Sequence, residues 1–201
     1  MCWNTVCQNL KNKGYRVSVF ASPAEAVAYL QTKIDGKTVG MGGSMTLQEM
    51  GLYDALATHN TVWWHQRMPE GKSVTEVCKL ANVAEVYLSS VNGLAETGEI
   101  VNIDGRCNRV SAILFGHETV YLVVGRNKIA KDYENALFRA RNVAAPRNAK
   151  RLGRQTPCAV KGDRCYDCNS PDRICCTLSV QWCKPMGTDV EILLIDADLG
   201  Y

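Results

Sequence analysis

The sequence predicts an α/β fold with a mainly parallel sheet flanked by helices. Short β-rich runs alternate with helical stretches of roughly ten to fifteen residues, the pattern of repeated βαβ units. A strand at Thr38–Met41 enters the turn Gly42-Gly43 and then a helix start. Thr119–Val124 is an apolar run of the kind buried on both faces of a parallel sheet. The elements follow in order. From Cys2 to Lys13, Trp3, Val6, Cys7 and Leu10 recur at three- and four-residue intervals, one face of a helix that Gly14 ends. A strand follows at Tyr15–Phe20. Ser22-Pro23-Ala24-Glu25 combines an N-cap serine, a proline at the first helical position and a glutamate three residues on, which starts a helix running to about Lys33. Thr46 and Glu49 repeat the capping pattern for a helix to about Ala57. Strands at Thr61–Trp64 and Glu85–Ser89 flank a helix at Val74–Ala81. Thr97-Gly98 turns the chain before a strand at Glu99–Ile103, and Gly105–Phe115 is a loop feeding a short buried helix. Asp132 caps a helix to about Ala144, with Pro146 placed to stop it. Thr177–Cys183 and Val190–Ile195 are the last strands.

Composition narrows the function classes. The chain has 201 residues, 46% of them hydrophobic and 21% charged, enough to bury roughly 70% of the unfolded surface in one domain, residues 1–201. General disorder is excluded. Twenty-three Lys+Arg against 20 Asp+Glu leave a net charge of +3, which argues against a nucleic-acid footprint. No apolar run approaches the ~20 residues of a membrane helix. The start Met1-Cys2-Trp3-Asn4 has neither the basic nor the apolar region of a secretory signal, so a cytoplasmic location is expected.

In a reducing compartment the ten cysteines stand out. Cys2, Cys7, Cys78 and Cys107 are scattered, whereas Cys158, Cys165, Cys168, Cys175, Cys176 and Cys183 crowd together. The spacing Cys158-x6-Cys165-x2-Cys168-x6-Cys175 offers four soft thiolates from one loop, residues 153–176. Such a set can close a zinc site or the corners of an iron–sulfur cluster. Zinc ribbons usually pair two C-x-x-C knuckles, and here only the central pair is close. The arrangement resembles the cluster loop of endonuclease III-type DNA glycosylases, in this loop alone. A four-iron four-sulfur cluster is the expected cofactor, with zinc as the alternative. Arg164 and Arg173 could neutralise an anionic cluster, Cys176 could replace Cys175, and Cys176 and Cys183 otherwise read as packing residues.

Two further constellations suggest an anion pocket. Gly42, Gly43, Ser44 and Thr46 form a strand-to-helix turn whose backbone donors attract phosphate or carboxylate, although the sequence is neither a dinucleotide fingerprint nor a Walker loop. A polar belt carries Glu96, Glu99, Asn102, Asn108 and Arg109, continued by Asn127 and Lys128. If its loops converge at the carboxyl edge of the sheet, they form a ligand crevice. Arg109 and Lys128 could bind an anion, with Glu96 or Glu99 as base or nucleophile. The run Arg139, Arg141, Arg147, Lys150, Arg151 and Arg154 reads as a solvated face, and His59, His65 and His117 have no partner at ligand spacing.

Taken together, Val39-Gly-Met-Gly-Gly-Ser-Met-Thr-Leu, Glu96-Thr-Gly-Glu-Ile-Val-Asn-Ile-Asp-Gly, Val124-Gly-Arg-Asn-Lys-Ile and Arg141-Asn-Val-Ala-Ala-Pro-Arg-Asn-Ala resemble the LUD-domain family of lactate utilisation proteins, from about Asn9 to Tyr201. The cysteine loop is similar to that of a small, stand-alone branch. Cys107 replaces the family's usual glycine. The resemblance implies the NagB/RpiA/CoA-transferase-like fold, whose members bind sugar phosphates or CoA esters above the sheet, without supplying a reaction. Three functions follow as expectations. One is an iron–sulfur component or accessory factor of lactate or 2-hydroxy-acid metabolism, with redox partner proteins and a small anionic ligand. The others are an isomerase or acyl/CoA-transferase-type enzyme acting on a sugar phosphate or CoA ester, and a zinc-stabilised interaction protein.

Overall fold

A computed structural model describes residues 3–201; Cys2 lies outside them. The strands are β1 (Arg16–Phe20), β2 (Thr38–Met41), β3 (Thr61–Trp64), β4 (Val86–Ser89), β5 (Gly93–Ala95), β6 (Ile100–Asp104), β7 (Thr119–Gly125), β8 (Ile129–Ala130), β9 (Thr177–Gln181) and β10 (Asp189–Ile195). Six of them form a parallel sheet in the order β1-β10-β7-β4-β2-β3. The helices are α1 (Trp3–Asn12), α2 (Pro23–Lys33), α3 (Met45–Glu49), α4 (Leu52–Leu56), α5 (Val74–Asn82), α6 (Asn108–Leu114), α7 (Tyr133–Arg139), α8 (Ala145–Arg151) and α9 (Pro157–Lys161). No helix among the described residues is long and apolar enough to cross a membrane.

The period-two alternation of a strand explains the two main cores. Along β7, Val120, Leu122 and Val124 enter one cluster while Tyr121 and Val123 enter the other. β10 divides in the same way, with Val190, Ile192 and Leu194 on one face and Leu193 and Ile195 on the opposite one. Both strands are interior to the sheet and buried on both faces, β7 through a continuous apolar run and β10 with Glu191 as its one buried acid.

A second sheet, ordered β8-β5-β6-β9, was not legible in the sequence. Its members β5 and β8 are only three and two residues long. β6 pairs antiparallel with both β5 and β9, so the expected strand at Glu99–Ile103 lies outside the parallel sheet. α7 packs tightly on this sheet: a Cβ on Gly93 would meet the Ala136 carbonyl oxygen at 2.5 Å, which only glycine avoids.

Three helix boundaries differ from expectation. Ser22 caps α2 as foreseen, but Glu25 Oε2 accepts from Ala21 N–H at 3.1 Å, one residue beyond the cap. The cap after β2 is Ser44, whose Oγ accepts from Leu47 N–H at 3.3 Å; Thr46 lies inside the helix. Gly51, at φ 64°, then divides the expected single helix into α3 and α4. Pro146 does not stop the helical run from Asp132. A π turn at Ala140–Ala144 intervenes and α8 continues to Arg151, because the widened turn accommodates a ring that lacks an N–H and would otherwise strike the preceding turn.

Candidate functional site

The parallel strands end at one edge, and a cleft of about 570 Å³ opens there. Gly43 and Ser44 follow β2, His65 and Gln66 follow β3, Ser90–Asn92 follow β4, and Lys128 follows β7; all line the cleft, with Asn108 and Arg109 of α6. Gly42 makes the turn possible, since a Cβ there would stand 3.0 Å from Arg109 Cγ, Ser89 Oγ and Tyr87 Oη. The imidazole of His65 covers Gly43, 3.1 Å from where its Cβ would be. Burial first, then Arg106, lowers the His65 pKa, so this ring is neutral at neutral pH.

The remaining expected ligand residues build the walls. Gly42 accepts from Trp64 Nε1–H at 3.0 Å, and Thr46 Oγ1 donates to Leu199 O at 3.2 Å. Asn127 clamps the same segment through Leu199 and Gly200. Asn102 is buried beneath the cleft, where its Oδ1 accepts from Arg109.

Arg109 is not the free anion fork suggested by the sequence. Nη1 donates to Asn102 Oδ1 at 2.6 Å and Ser90 O at 3.2 Å, while Nη2 donates to Ile103 O at 2.7 Å and Asn92 Oδ1 at 3.0 Å. Both terminal nitrogens of the buried guanidinium are committed, Nε stands 4.0 Å from Asp104 Oδ2, and the group joins α6 to β6 and to the loop after β4. Arg139 likewise departs from the solvated face, donating to Asn127 O at 2.8 Å and Asn92 O at 2.6 Å. Glu96 and Glu99 stand outside the cleft, at the β5–β6 turn beside α1. Glu99 is ion-paired to Lys13 at 2.9 Å, and Glu96 O accepts from Asn9 Nδ2.

Lys128 is the exceptional cation. It is 4% exposed, its Nζ donates to Ser90 Oγ at 2.9 Å and Val91 O at 3.2 Å, and among the described residues no carboxylate pairs with it. Burial, then Arg139 and Arg109, depress its pKa to about 7 against the opposing pull of Glu49. Above it the charged rim consists of Arg106, Arg151, Arg154 and Arg173 with one acid, Asp104. Sequence reasoning missed Ser90, His65 and Arg151 as cleft residues, and Arg106 stood in its polar belt without a role. The only available signal was position, Ser90, His65 and Arg106 lying within a few residues of a strand end.

The cysteine loop forms another wall, where Cys175 and Cys176 meet the cleft. The thiol of Cys175 is pushed up to about 11 by burial first and then by the proximity of Cys165, Cys158 and Cys168, with Arg173 opposing. These are the four cysteines of the x6-x2-x6 pattern. Donors surround them: Asp167 N–H lies 3.4 Å from Cys165 Sγ, Arg141 Nη2 lies 3.9 Å from the same sulfur, and Thr156 Oγ1 is 3.3 Å from Cys158 Sγ. Among the described residues no three His, Cys, Asp or Glu side chains already converge on a single-ion site. Cys176 and Cys183 are exposed rather than packed. Cys107 adopts φ 64°, a left-handed backbone that glycine adopts without strain, which accounts for the glycine usual there.

The sequence matches the LUD domain family model over residues 4–195. The fold is similar to the crystal structure of a DUF162 family protein from Deinococcus radiodurans, with TM-score 0.55, 11% sequence identity and coverage of 96% of this chain and 94% of that one. Among curated proteins none matches the sequence.

Proposed function

The chain belongs to the LUD domain family, associated with lactate utilisation, and on that premise we propose a protein of 2-hydroxy-acid metabolism that binds a small organic anion beside a four-cysteine metal centre. The observation that carries the anion reading is the charge of the cleft: Arg106, Arg151 and buried Lys128 line one space in which Asp104 is the sole carboxylate side chain, while Arg154 and Arg173 beside them are paired to Asp172 and Asp167. An anion there gains its least screened Coulomb energy from Lys128, which is buried, whereas Arg106, Arg151 and Arg154 are exposed and attract it through solvent. With Arg109 committed, Arg106 and Arg151 supply the charge at the rim, and Lys128 meets the reacting end of the ligand. The α3 turn contributes less than its glycines suggested, because a five-residue helix has little macrodipole.

The donor set around Cys175 fits a metal. The Cys175 thiol, pushed up by burial and by the three cysteines beside it, stays protonated on its own, and a bound cation would reverse that preference by stabilising the thiolate. Cys158, Cys165, Cys168 and Cys175 would hold a four-iron four-sulfur cluster, with the Asp167 N–H and Arg141 tuning the Cys165 sulfur. A cluster presents separate iron corners, a looser demand than four thiolates focused on one zinc ion. When bound, it would supply one-electron transfer or order the loop.

Calorimetry with phosphate and L-lactate tests the cleft. The double variant Arg106→Ala/Arg151→Ala should bind at least about tenfold more weakly, as loss of charged contacts implies. Unchanged affinity in the folded variant would exclude the rim. Metal analysis after anaerobic purification should find about four irons per chain and visible absorption; neither iron nor zinc at one centre per chain would end the metal reading.

A further inference from the structure

We propose that Ser90 and Lys128 form a nucleophilic dyad that cleaves an ester or thioester of a small carboxylic acid through an acyl-Ser90 intermediate. The proposal rests on the cleft being a site for an anionic ligand and assigns the reaction at its floor.

Ser90 lies immediately beyond β4, where the chain leaves the sheet, and its Oγ is 2.9 Å from Lys128 Nζ. Both residues are 4% exposed and both line the cleft. The carbonyl of Ser90 is held by Arg109 Nη1 at 3.2 Å and by Ser89 Oγ at 3.2 Å, which fixes the backbone carrying the hydroxyl. A second Lys128 hydrogen bond, to Val91 O, fixes the amine on the other side. A buried lysine that serves only stability is expected to have a carboxylate partner, because a desolvated charge is otherwise unfavourable. Lys128 has a hydroxyl and a carbonyl instead. Arg139, Arg109 and Glu49 are the charged groups it feels, and with burial they leave it near pKa 7, where much of it is neutral amine at physiological pH. A neutral amine hydrogen-bonded to a serine is a known means of activating a weak nucleophile.

In the reaction, Ser90 Oγ attacks the acyl carbon while its proton passes to Lys128 Nζ, and the carbonyl electron pair moves onto oxygen. Collapse of the adduct breaks the bond to the alcohol or thiol, which departs with the proton from the Lys128 ammonium. Water then attacks the acyl-serine and gives one proton to Lys128; that proton returns to Ser90 Oγ as the acid leaves. Water is the sole co-reactant. An anionic portion of the substrate rests on Arg106 and Arg151 while the acyl carbon sits at the floor.

The full-length protein should be treated with a fluorophosphonate, which phosphonylates an activated serine with loss of fluoride, and with p-nitrophenyl acetate. The wild type should take up one phosphonyl group, mapped to Ser90 by tandem mass spectrometry, and release p-nitrophenol. Ser90→Ala should abolish both. Lys128→Met should slow labelling by about a hundredfold or more, the usual contribution of a general base, and Lys128→Arg should not restore it. No label on Ser90 in folded wild-type protein, a label on Lys128 instead, or an unchanged rate in Lys128→Met would each overturn the dyad. Phosphate calorimetry on the same samples separates the two proposals: binding without a Ser90 label defeats the dyad and leaves the cleft reading standing, whereas a label without phosphate binding does the converse.

Discussion

The parallel sheet and the cysteine loop both face the cleft, yet different forces hold them. The sheet separates two extensive clusters of fully buried apolar side chains, among them Leu88, Val123, Leu193, Leu122 and Ile192. The loop packs Cys158 and Ala159 on Ala149 of α8, with Tyr166 and Ile174 against them. Its shape comes from polar contacts instead: Arg173 donates to Cys168 O at 2.6 Å and Cys175 O at 2.9 Å, and Asp172 accepts from Gln155 N–H at 2.9 Å. Exposed ion pairs such as Arg141–Asp167 at 3.4 Å add at most about 1 kcal/mol. One wall of the site is therefore built by burial, and the other is held by polar contacts.

The largest expected effect lies at the junction. Arg109→Met would take a charged donor from each of Asn102, Asn92 and two carbonyls. A loss of about 4 kcal/mol in urea unfolding should result, since breaking a buried charged network weakens the hydrogen bonding of every partner. A loss below about 1 kcal/mol would show that sheet and second layer do not depend on this residue. Leu88→Ala comes next, at about 3 kcal/mol, a cavity in a fully buried site. Its effect should be global, and a purely local opening seen by hydrogen exchange would contradict the idea of one cooperative sheet.

A smaller effect concerns Lys128. The unfolded side chain holds its proton to about pH 10.4, whereas the folded one releases it near about 7. Between these values the unfolded chain binds more protons, so stability rises with pH, and the penalty of the buried charge is fully present below about 7. The rise should approach on the order of 1 kcal/mol per pH unit, and Lys128→Met should remove it. Equal unfolding free energies from urea titrations at pH 7 and 9 would show that Lys128 is not a desolvated cation. Smallest on the sheet is the effect of Cys168→Ser: global stability should move by less than about 0.5 kcal/mol, while limited proteolysis within residues 153–176 accelerates. Equal loss in both regions would abolish the distinction between them.

Much of the architecture was legible because its causes are local. β2 and β3 have the expected limits, α2 begins at the expected serine cap, and the apolar run of β7 announced its place buried on both faces. Where a local rule met a stronger neighbour it failed. Pro146 was absorbed by a π turn, and Thr46 yielded its capping role to Ser44, two residues earlier. In the site, Gly43, Ser44, Asn108, Arg109 and Lys128 were named beforehand and do line the cleft, but residue type did not reveal that Arg109 is spent. Glu96 and Glu99 looked like acid–base candidates because a carboxylate on a polar loop carries no mark of where that loop folds.

Periodicity, caps and turn chemistry are properties of neighbouring residues, and they sufficed for the α/β class, most of the elements and the grouping of four cysteines in one loop. Which side chains meet was decided by strand order and by the packing of α6 and α7. Ser90 and Lys128 are 38 positions apart and touch because β4 and β7 are adjacent in the sheet. The depressed pKa of that lysine follows from the same cause: desolvation depends on everything packed around a charge, and almost none of what surrounds Lys128 is near it in sequence.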